Sequence, residues 1–385
     1  MHSWNALSGG DIYGQWYGTG YFYEQAAATA GFDNRLRYVL NHVHTTLGKP
    51  WKELSDYIFA FEAENEAMIG KGQQYIKEHQ NWQCDRATTT KGELGSNSGI
   101  LVTTGGESWM DESVQDGWLS CAALDVIAIH AYGTGDFETS AIQTYVRRAQ
   151  AAGKKFLFQE WGSCYFTTEN KNCPSGSALS ESTRNANIQK WVRQITAAGV
   201  PWLYWQVLPN NDPHYGSDYE VGVGESGFRA LSTVAQEALD APAASDYLLV
   251  NNRHGPSVQL AATQTTMKIF STLFSALCAL HIAYAANSFS GSNLYYAAGL
   301  SSSQRTTLLD ALQSAGMKVL RVWLDGESAG TTKNTPITTY PALEHAAVGQ
   351  YDPTVLNLLD AFMVDAHAHG IKASPLPSPF TFPLP

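Results

Sequence analysis

Apolar residues fall into two alternating rhythms from Leu36 onward. Short, nearly continuous apolar runs end in polar or aromatic residues: YIFAFEAENEA (57–67), GILVTTGG (99–106), LDVIAIHAY (124–132), FLFQEWG (156–162) and VPWLYWQVL (200–208). Runs of this length and composition read as strands. Amphipathic stretches separate most of them, among them SAIQTYVRRAQAAGK (140–154) and STRNANIQKWVRQITAAG (182–199), the latter closing on Gly199 as a helix C-cap does. The alternation predicts βα units around a parallel sheet.

The same alternation resumes with SNLYYAAG (292–299), a helix around Leu308 to Ala315, and MKVLRVWLDG (317–326). A further helix is marked by Asp352 as N-cap, Pro353 at the first position, and Val355, Leu358, Leu359 and Phe362 at i, i+3, i+4 and i+7. HGIK (369–372) leads toward another strand, but ASPLPSPFTFPLP (373–385) holds five prolines and is expected to be a proline-rich tail. At the other end, MHSWNAL (1–7) reads as the tail of a strand whose beginning is missing. Placing residues 286–372 ahead of residues 1–240 gives eight βα units, with strand 3 split between the two chain ends. The predicted fold is an α/β (β/α)8 TIM barrel in circularly permuted order, with chemistry at the C-terminal ends of its strands. Residues 241–266 lack periodicity and read as a linker.

Between the two portions, MKIFSTLFSALCALHIAYAANSF begins at Met267. Lys268, the apolar stretch Ile269 to Ile282 and the small-x-small exit Ala283-Tyr284-Ala285 make residues 267–285 resemble a secretory signal peptide. Ser, Thr, Cys and His interrupt the run, so export is expected over a membrane anchor. A signal inside a chain is read as two adjacent or rearranged gene pieces joined in one sequence, and the chain as written is expected to be weakly active and poorly exported.

Charge and composition narrow the partners. A net charge of −11 argues against nucleic acid and anionic membranes, which need a basic face. The 11 Trp and 19 Tyr are expected mostly in the core, with a minority forming a binding wall, as in YGQWYGTGYFYE (13–24). Cys278 lies in the signal-like segment, which leaves Cys84, Cys121, Cys164 and Cys173. Four cysteines in an exported protein suggest two disulfides with three possible pairings, of which Cys164 with Cys173 is the expected local staple. No zinc-like Cys/His spacing is present, and the two histidines of DAHAHG (365–370) splay apart at i, i+2, so neither metal nor cofactor is expected.

Glu66 lies in ENEA and Glu160 in FQEWG, each at the end of a predicted strand. Two carboxylates at a barrel mouth suit glycosidic bond cleavage, one protonating the leaving oxygen and the other attacking the anomeric carbon. With these residues the chain resembles glycoside hydrolase family five, whose hallmarks are an Asn-Glu after the fourth strand and a Glu after the seventh. Asn65 and Glu66 match the first and Glu160 the second. His130 and Tyr132 in HAY, Trp205 in LYWQ, Arg321 in LRVW and His2 in HSW resemble the family's other site residues.

The resemblance implies Glu66 as acid/base and Glu160 as nucleophile of a retaining mechanism. It further implies Asn65 on the sugar 2-hydroxyl, Tyr132 and Arg321 holding Glu160, His130 lining the site and Trp205 beneath the reacting sugar. Strand alternation puts Glu62 and Glu64 on the face of Glu66; Glu62 is an inward group that needs a partner such as an arginine. The implied protein is a secreted, monomeric endo-glycosidase acting on β-1,4-linked plant cell-wall polysaccharide. Mannan comes first, because the insert at Tyr13 to Glu24 and the SNLYYAAGL opening resemble fungal mannanase-type members, and β-1,4-glucan second. Two remote alternatives remain. GESAG (326–330) fits a nucleophile elbow at Ser328, yet a loop follows it instead of a helix; an inactive carbohydrate-binding relic is the other.

Overall fold

The structure is a computed structural model that describes residues 12–249 and 286–376, apart from positions 19, 108, 171, 172, 174–176, 217, 248 and 329. Its strands, in chain order, are β1 (Ala60–Glu62), β2 (Leu101–Thr103), β3 (Val126–His130), β4 (Lys155–Trp161), β5 (Trp202–Tyr204), β6 (Val207–Leu208), β7 (Val221–Gly222), β8 (Ser290–Leu294), β9 (Val319–Trp323), β10 (Gly330–Thr332), β11 (Thr335–Ile337) and β12 (Lys372–Leu376). Eight of them form one parallel sheet in the order β1-β2-β3-β4-β5-β8-β9-β12. The sheet closes on itself, because Phe59 donates to the Ala373 carbonyl and Ala373 to that of Tyr57, both at 2.8 Å. The result is a (β/α)8 barrel.

Helices on the outside connect the strands, and their ends follow from local side chains. Ser180 accepts the N–H of Thr183 to start Glu181–Ala197, and Ser301 forms a capping box with Gln304 ahead of Ser302–Ser314. Asp352 accepts the N–H of Thr354 at 2.9 Å, capping Thr354–Ala368 one residue later than the sequence pattern places it. Helix Ser226–Asp240 lays Phe228, Leu231, Val234 and Ala235 inward on one stripe.

Inside the ring, Ala60, Leu101, Val126, Leu157, Leu203 and Val319 pack with Phe59, Phe289 and Tyr247 into an apolar floor. Two residues further along five of those strands stand Glu62, Thr103, Ala128, Gln159 and Arg321. Alternation therefore carries the interior from a dry floor to a polar layer beneath the mouth.

Three sequence expectations need correction. Strand 3 in the rotated order runs further at the C-terminal end than the sequence pattern places it: Lys372–Leu376 is a strand, register-paired with β9 from Lys372↔Val319 to Leu376↔Trp323. Pro375 removes one N–H from the ladder, and the Ser374 hydroxyl adds a donor across the seam to the Ala60 carbonyl at 3.1 Å. The proline-rich tail thus begins after Leu376, and it, like Met1 to Trp4, lies outside the described residues. Next, the opening strand of the second portion is Ser290–Leu294, and Ala297–Gly299 is already a 3-10 turn. Finally, the start of the expected linker is built into the barrel. Pro242 bridges Asn287, and buried Tyr247 donates its hydroxyl to the Phe156 carbonyl in the floor.

Disulfides join Cys164 to Cys173, as expected, and Cys84 to Cys121. Among the described residues no helix is long and apolar enough to cross a membrane; the signal-like segment lies outside them.

Candidate active site

Arg321 stands at the centre of the polar layer, fully buried on β9. Its Nε donates to Glu62 Oε1 at 3.0 Å and its Nη2 to the same oxygen and, at 2.6 Å, to Asn65 Oδ1. Its Nη1 donates to Glu160 Oε1 and, at 3.2 Å, to Asn293 Oδ1. The inward glutamate expected to need an arginine has found it. One guanidinium fork thereby fixes residues from β1, β4 and β8 in one plane of contacts.

Glu66 lies beyond the end of β1, in a turn with φ of 50°, a left-handed conformation that non-glycine residues adopt at some cost. The turn is held by the Glu66 N–H on the Gly105 carbonyl at 3.1 Å, and by Tyr23, which donates to Glu64 Oε1 at 2.9 Å. Because β1 ends at Glu62, simple alternation does not extend to Glu64, whose buried carboxylate meets Tyr23 instead. Gly106 has φ of 68°, and a Cβ there would sit 2.2 Å from the His130 ring, so only glycine lets this loop run against the imidazole.

His130, at the end of β3, bonds Glu66 Oε1 through Nδ1 at 3.0 Å and Gln159 Oε1 through Nε2 at 3.0 Å. Nδ1 is also 3.6 Å from Glu160 Oε2, to which Tyr132 donates its hydroxyl at 3.2 Å. One donor atom each from Glu66, His130 and Glu160 lie within 4.8 Å of one another. Trp205, immediately after β5, lies parallel to Tyr295 at 6.2 Å and edge-on to Trp323 at 5.4 Å between centroids. The structure brings Asn65, Glu66, His130, Tyr132, Glu160 and Arg321 into one network; His2 lies outside the described residues.

Burial pushes the Glu160 carboxyl up from its ordinary range, and His130 and Arg321 pull it part of the way back. Burial disfavours a charged His130, but Glu160 and Glu66 outweigh it and raise the imidazole. Tyr132 is raised well above a normal phenol, first by burial and then by Glu160, so it remains a hydrogen-bond donor. Glu107, fully buried after β2, is raised well above the carboxylate range by burial, with Glu66 and Glu64 adding to it.

Several contributors escape sequence reasoning: Gln159, Asn293, Tyr23, Glu107, Tyr295 and Trp323. Gln159 is the instructive one. The register shifts between Phe158 and Trp161, which lets Gln159 and Glu160, adjacent in sequence, both reach the interior. In the aromatic insert, Tyr13, Phe22 and Tyr23 are buried, and Trp16 and Tyr21 are the exposed rings.

Ser328 is exposed and is followed by the β10–β11 hairpin, not by the helix that a nucleophile elbow requires. The DAHAHG histidines end a helix, His367 stacked on Tyr57 and His369 bonded to Asp310 at 3.1 Å. A second triad of metal-type donors, Asp212, His214 and Asp218, also lies within 4.8 Å. In both triads protein cations already face the carboxylates, Arg321 in one and Lys333 with Arg184 in the other. Neither is assigned a metal.

The fold and site together define a (β/α)8 barrel with a pair of carboxylates at the C-terminal mouth. No protein-family model matches the chain, and no curated protein matches it. Among solved structures, it is similar to the endo-1,4-beta-mannanase from Rhizomucor miehei at 16% identity and a TM-score of 0.44, over 58% of this chain and 67% of that one. The endo-1,4-beta-D-mannanase from Thermotoga petrophila RKU-1 is 17% identical, with a TM-score of 0.42 over 58% of this chain and 70% of that one. A glycoside hydrolase family 5 mannosidase from Rhizomucor miehei is 17% identical, with a TM-score of 0.40 over 56% and 62%.

Proposed function

We propose that this chain is a retaining endo-glycoside hydrolase for β-1,4-linked plant cell-wall polysaccharide, mannan first and β-glucan second. The observation that carries the reading is the approach of the Glu66 and Glu160 carboxyls, with oxygens within 4.8 Å. Retaining glycosidases hold their carboxyls about 5–5.5 Å apart, and inverting ones leave about 6.5–9.5 Å for a water.

In the first step Glu160 attacks the anomeric carbon, the glycosidic C–O bond breaks, and the Glu66 proton passes to the leaving oxygen. In the second, Glu66 takes a proton from water, whose oxygen displaces Glu160 from the anomeric carbon. Tyr132 and Arg321 hold Glu160 for attack. Arg321 occupies Asn65 Oδ1, which leaves the Asn65 Nδ2 as the donor for a sugar hydroxyl. Trp205 is the platform for the sugar ring, and the family resemblance implies a substrate-binding role for His2, which lies outside the described residues.

The order of the two portions is read as a rotation relative to the family, arising from two joined gene pieces, with export belonging to the intact secreted form. A ring of eight βα units has the same strand order from any cut, so ring order supports either arrangement. The test is hydrolysis of mannan and of β-glucan by the chain as written and by a rearranged version, joining residues 286–376 ahead of residue 1. Cleavage that survives Ser328→Ala and disappears in Glu160→Gln is expected; the reverse pattern would replace the glycosidase by an esterase.

A further inference from the structure

The amide of Gln159 has only one workable orientation. Its Nε2 donates to Glu62 Oε2, and Glu62 is paired through its other oxygen with Arg321. A carboxylate held by a guanidinium is an acceptor only, so the amide must turn its NH2 group to Glu62 and its oxygen to His130. That oxygen lies 3.0 Å from His130 Nε2, which must therefore carry a proton. A neutral imidazole has a single N–H, so Nδ1 then offers a lone pair, and it faces Glu66 Oε1 at 3.0 Å.

We infer that Gln159 is a positioning residue for the acid/base step: it holds the neutral His130 as the Nε2–H tautomer, so that Nδ1 is the ring atom that faces Glu66 and exchanges a proton with it. This rests on the glycosidase reading, in which Glu66 must hold a proton to give to the leaving oxygen. The charged groups that act on the ring are Glu66 after β1, Glu160 on β4 and Arg321 on β9; Glu107 after β2 acts on Glu66 in turn. A second proton on the ring can go only to Nδ1, which then donates to the Glu66 carboxylate. One proton thus passes between Nδ1 and Oε1, and Nε2 keeps its own throughout.

Without the Gln159 oxygen, the neutral ring is free to become the Nδ1–H tautomer, whose Nδ1 can no longer accept a proton from Glu66. The experiment compares wild type with Gln159→Met, which keeps the volume and removes both hydrogen bonds. The 15N shifts of the His130 ring, assigned with His130→Gln and read where the ring is neutral, should show Nε2–H in wild type and a move toward Nδ1–H in the variant. The alkaline limb of the kcat/KM profile should shift about one pH unit toward acid in Gln159→Met.

A wild-type spectrum with the neutral proton on Nδ1 overturns the inference, whatever becomes of the variant. So does a variant profile lowered equally at every pH, since that is the mark of a merely structural role. A wild-type chain with Nε2–H that cleaves neither polysaccharide overturns the glycosidase reading while upholding the tautomer.

Discussion

Two buried charge networks sit on this barrel, and they are built differently. In the mouth, Glu62, Glu160 and Arg321 project from strands β1, β4 and β9, and one guanidinium serves both carboxylates. The other network joins loops: His214 lies 3.2 Å from Asp212 and 3.0 Å from Asp218, and Lys333 lies 3.2 Å from Glu220. Its residues come from the segment between β6 and β7 and from the β10–β11 hairpin. Strand-borne charges are held by ladders on both sides, whereas loop-borne charges must themselves hold the loops. The first arrangement suits chemistry that tolerates little displacement; the second suits a clamp.

That contrast can be broken most severely at Arg321. Arg321→Met strands Glu62 and Glu160 in the interior, and should cost about 3–5 kcal/mol of stability and on the order of 10⁴-fold in kcat. Urea unfolding and hydrolysis rates read the two losses, and retention of activity would remove the mouth network from the chemistry. Lys333→Met is the counterpart in the clamp. It should lower stability by about 3 kcal/mol, with activity within about threefold of wild type; a large loss of kcat at unchanged KM would show that the loop network also serves catalysis.

Tyr132→Phe sharpens the same comparison by deleting one hydroxyl. A bond to a charged acceptor is worth about 1.5–3 kcal/mol, so kcat should fall about 10- to 100-fold, with little change in thermal midpoint.

The smallest effect lies in the pH dependence of the clamp. Burial opposes the charge of His214, but Asp212 and Asp218 outweigh it and raise the imidazole to about 9. A group raised on folding contributes stability that is complete below its unfolded value, about 6.5, and is lost as pH rises through the folded value. Burial raises Asp218 to about 7, so its own contribution has finished changing above neutrality. Between about pH 7.5 and 9.5 the wild-type thermal midpoint should therefore fall, and His214→Gln should flatten that slope. Equal slopes in both proteins would take His214 out of the clamp.

Most of the ring was legible in the sequence, because apolar runs ending in polar residues mark strands that open onto a mouth. Asn65, Glu66 and Glu160 could be singled out for the same reason, since each sits at or near a strand end; Arg321, midway along β9, was marked only by the family resemblance. Glu64 could not be placed, since period-two counting fails once β1 stops at Glu62. Gln159 was hidden by the converse fault. Strict alternation sends one of Gln159 and Glu160 outward, and only the irregular register near Phe158 brings both inside. Proline counting also misled at Lys372–Leu376, where β9 provides a full register and a serine hydroxyl supplements the opposite seam. These are tertiary effects that a local pattern does not contain.

The closure between Ile58 and Ala373 brings together residues 315 positions apart, a separation given by 373 minus 58. Neighbouring strands such as β3 and β4 instead meet after one short helix. Loop-closure entropy makes the distant pairing the slow event, so folding should proceed as growth of an open, curling sheet whose two edges join late. Until they join, the edges of β1 and β12 display unpaired backbone groups, the kind of surface on which chains stick to one another. Refolding yield should accordingly fall with protein concentration, and amide protons along that seam should exchange before those between β3 and β4.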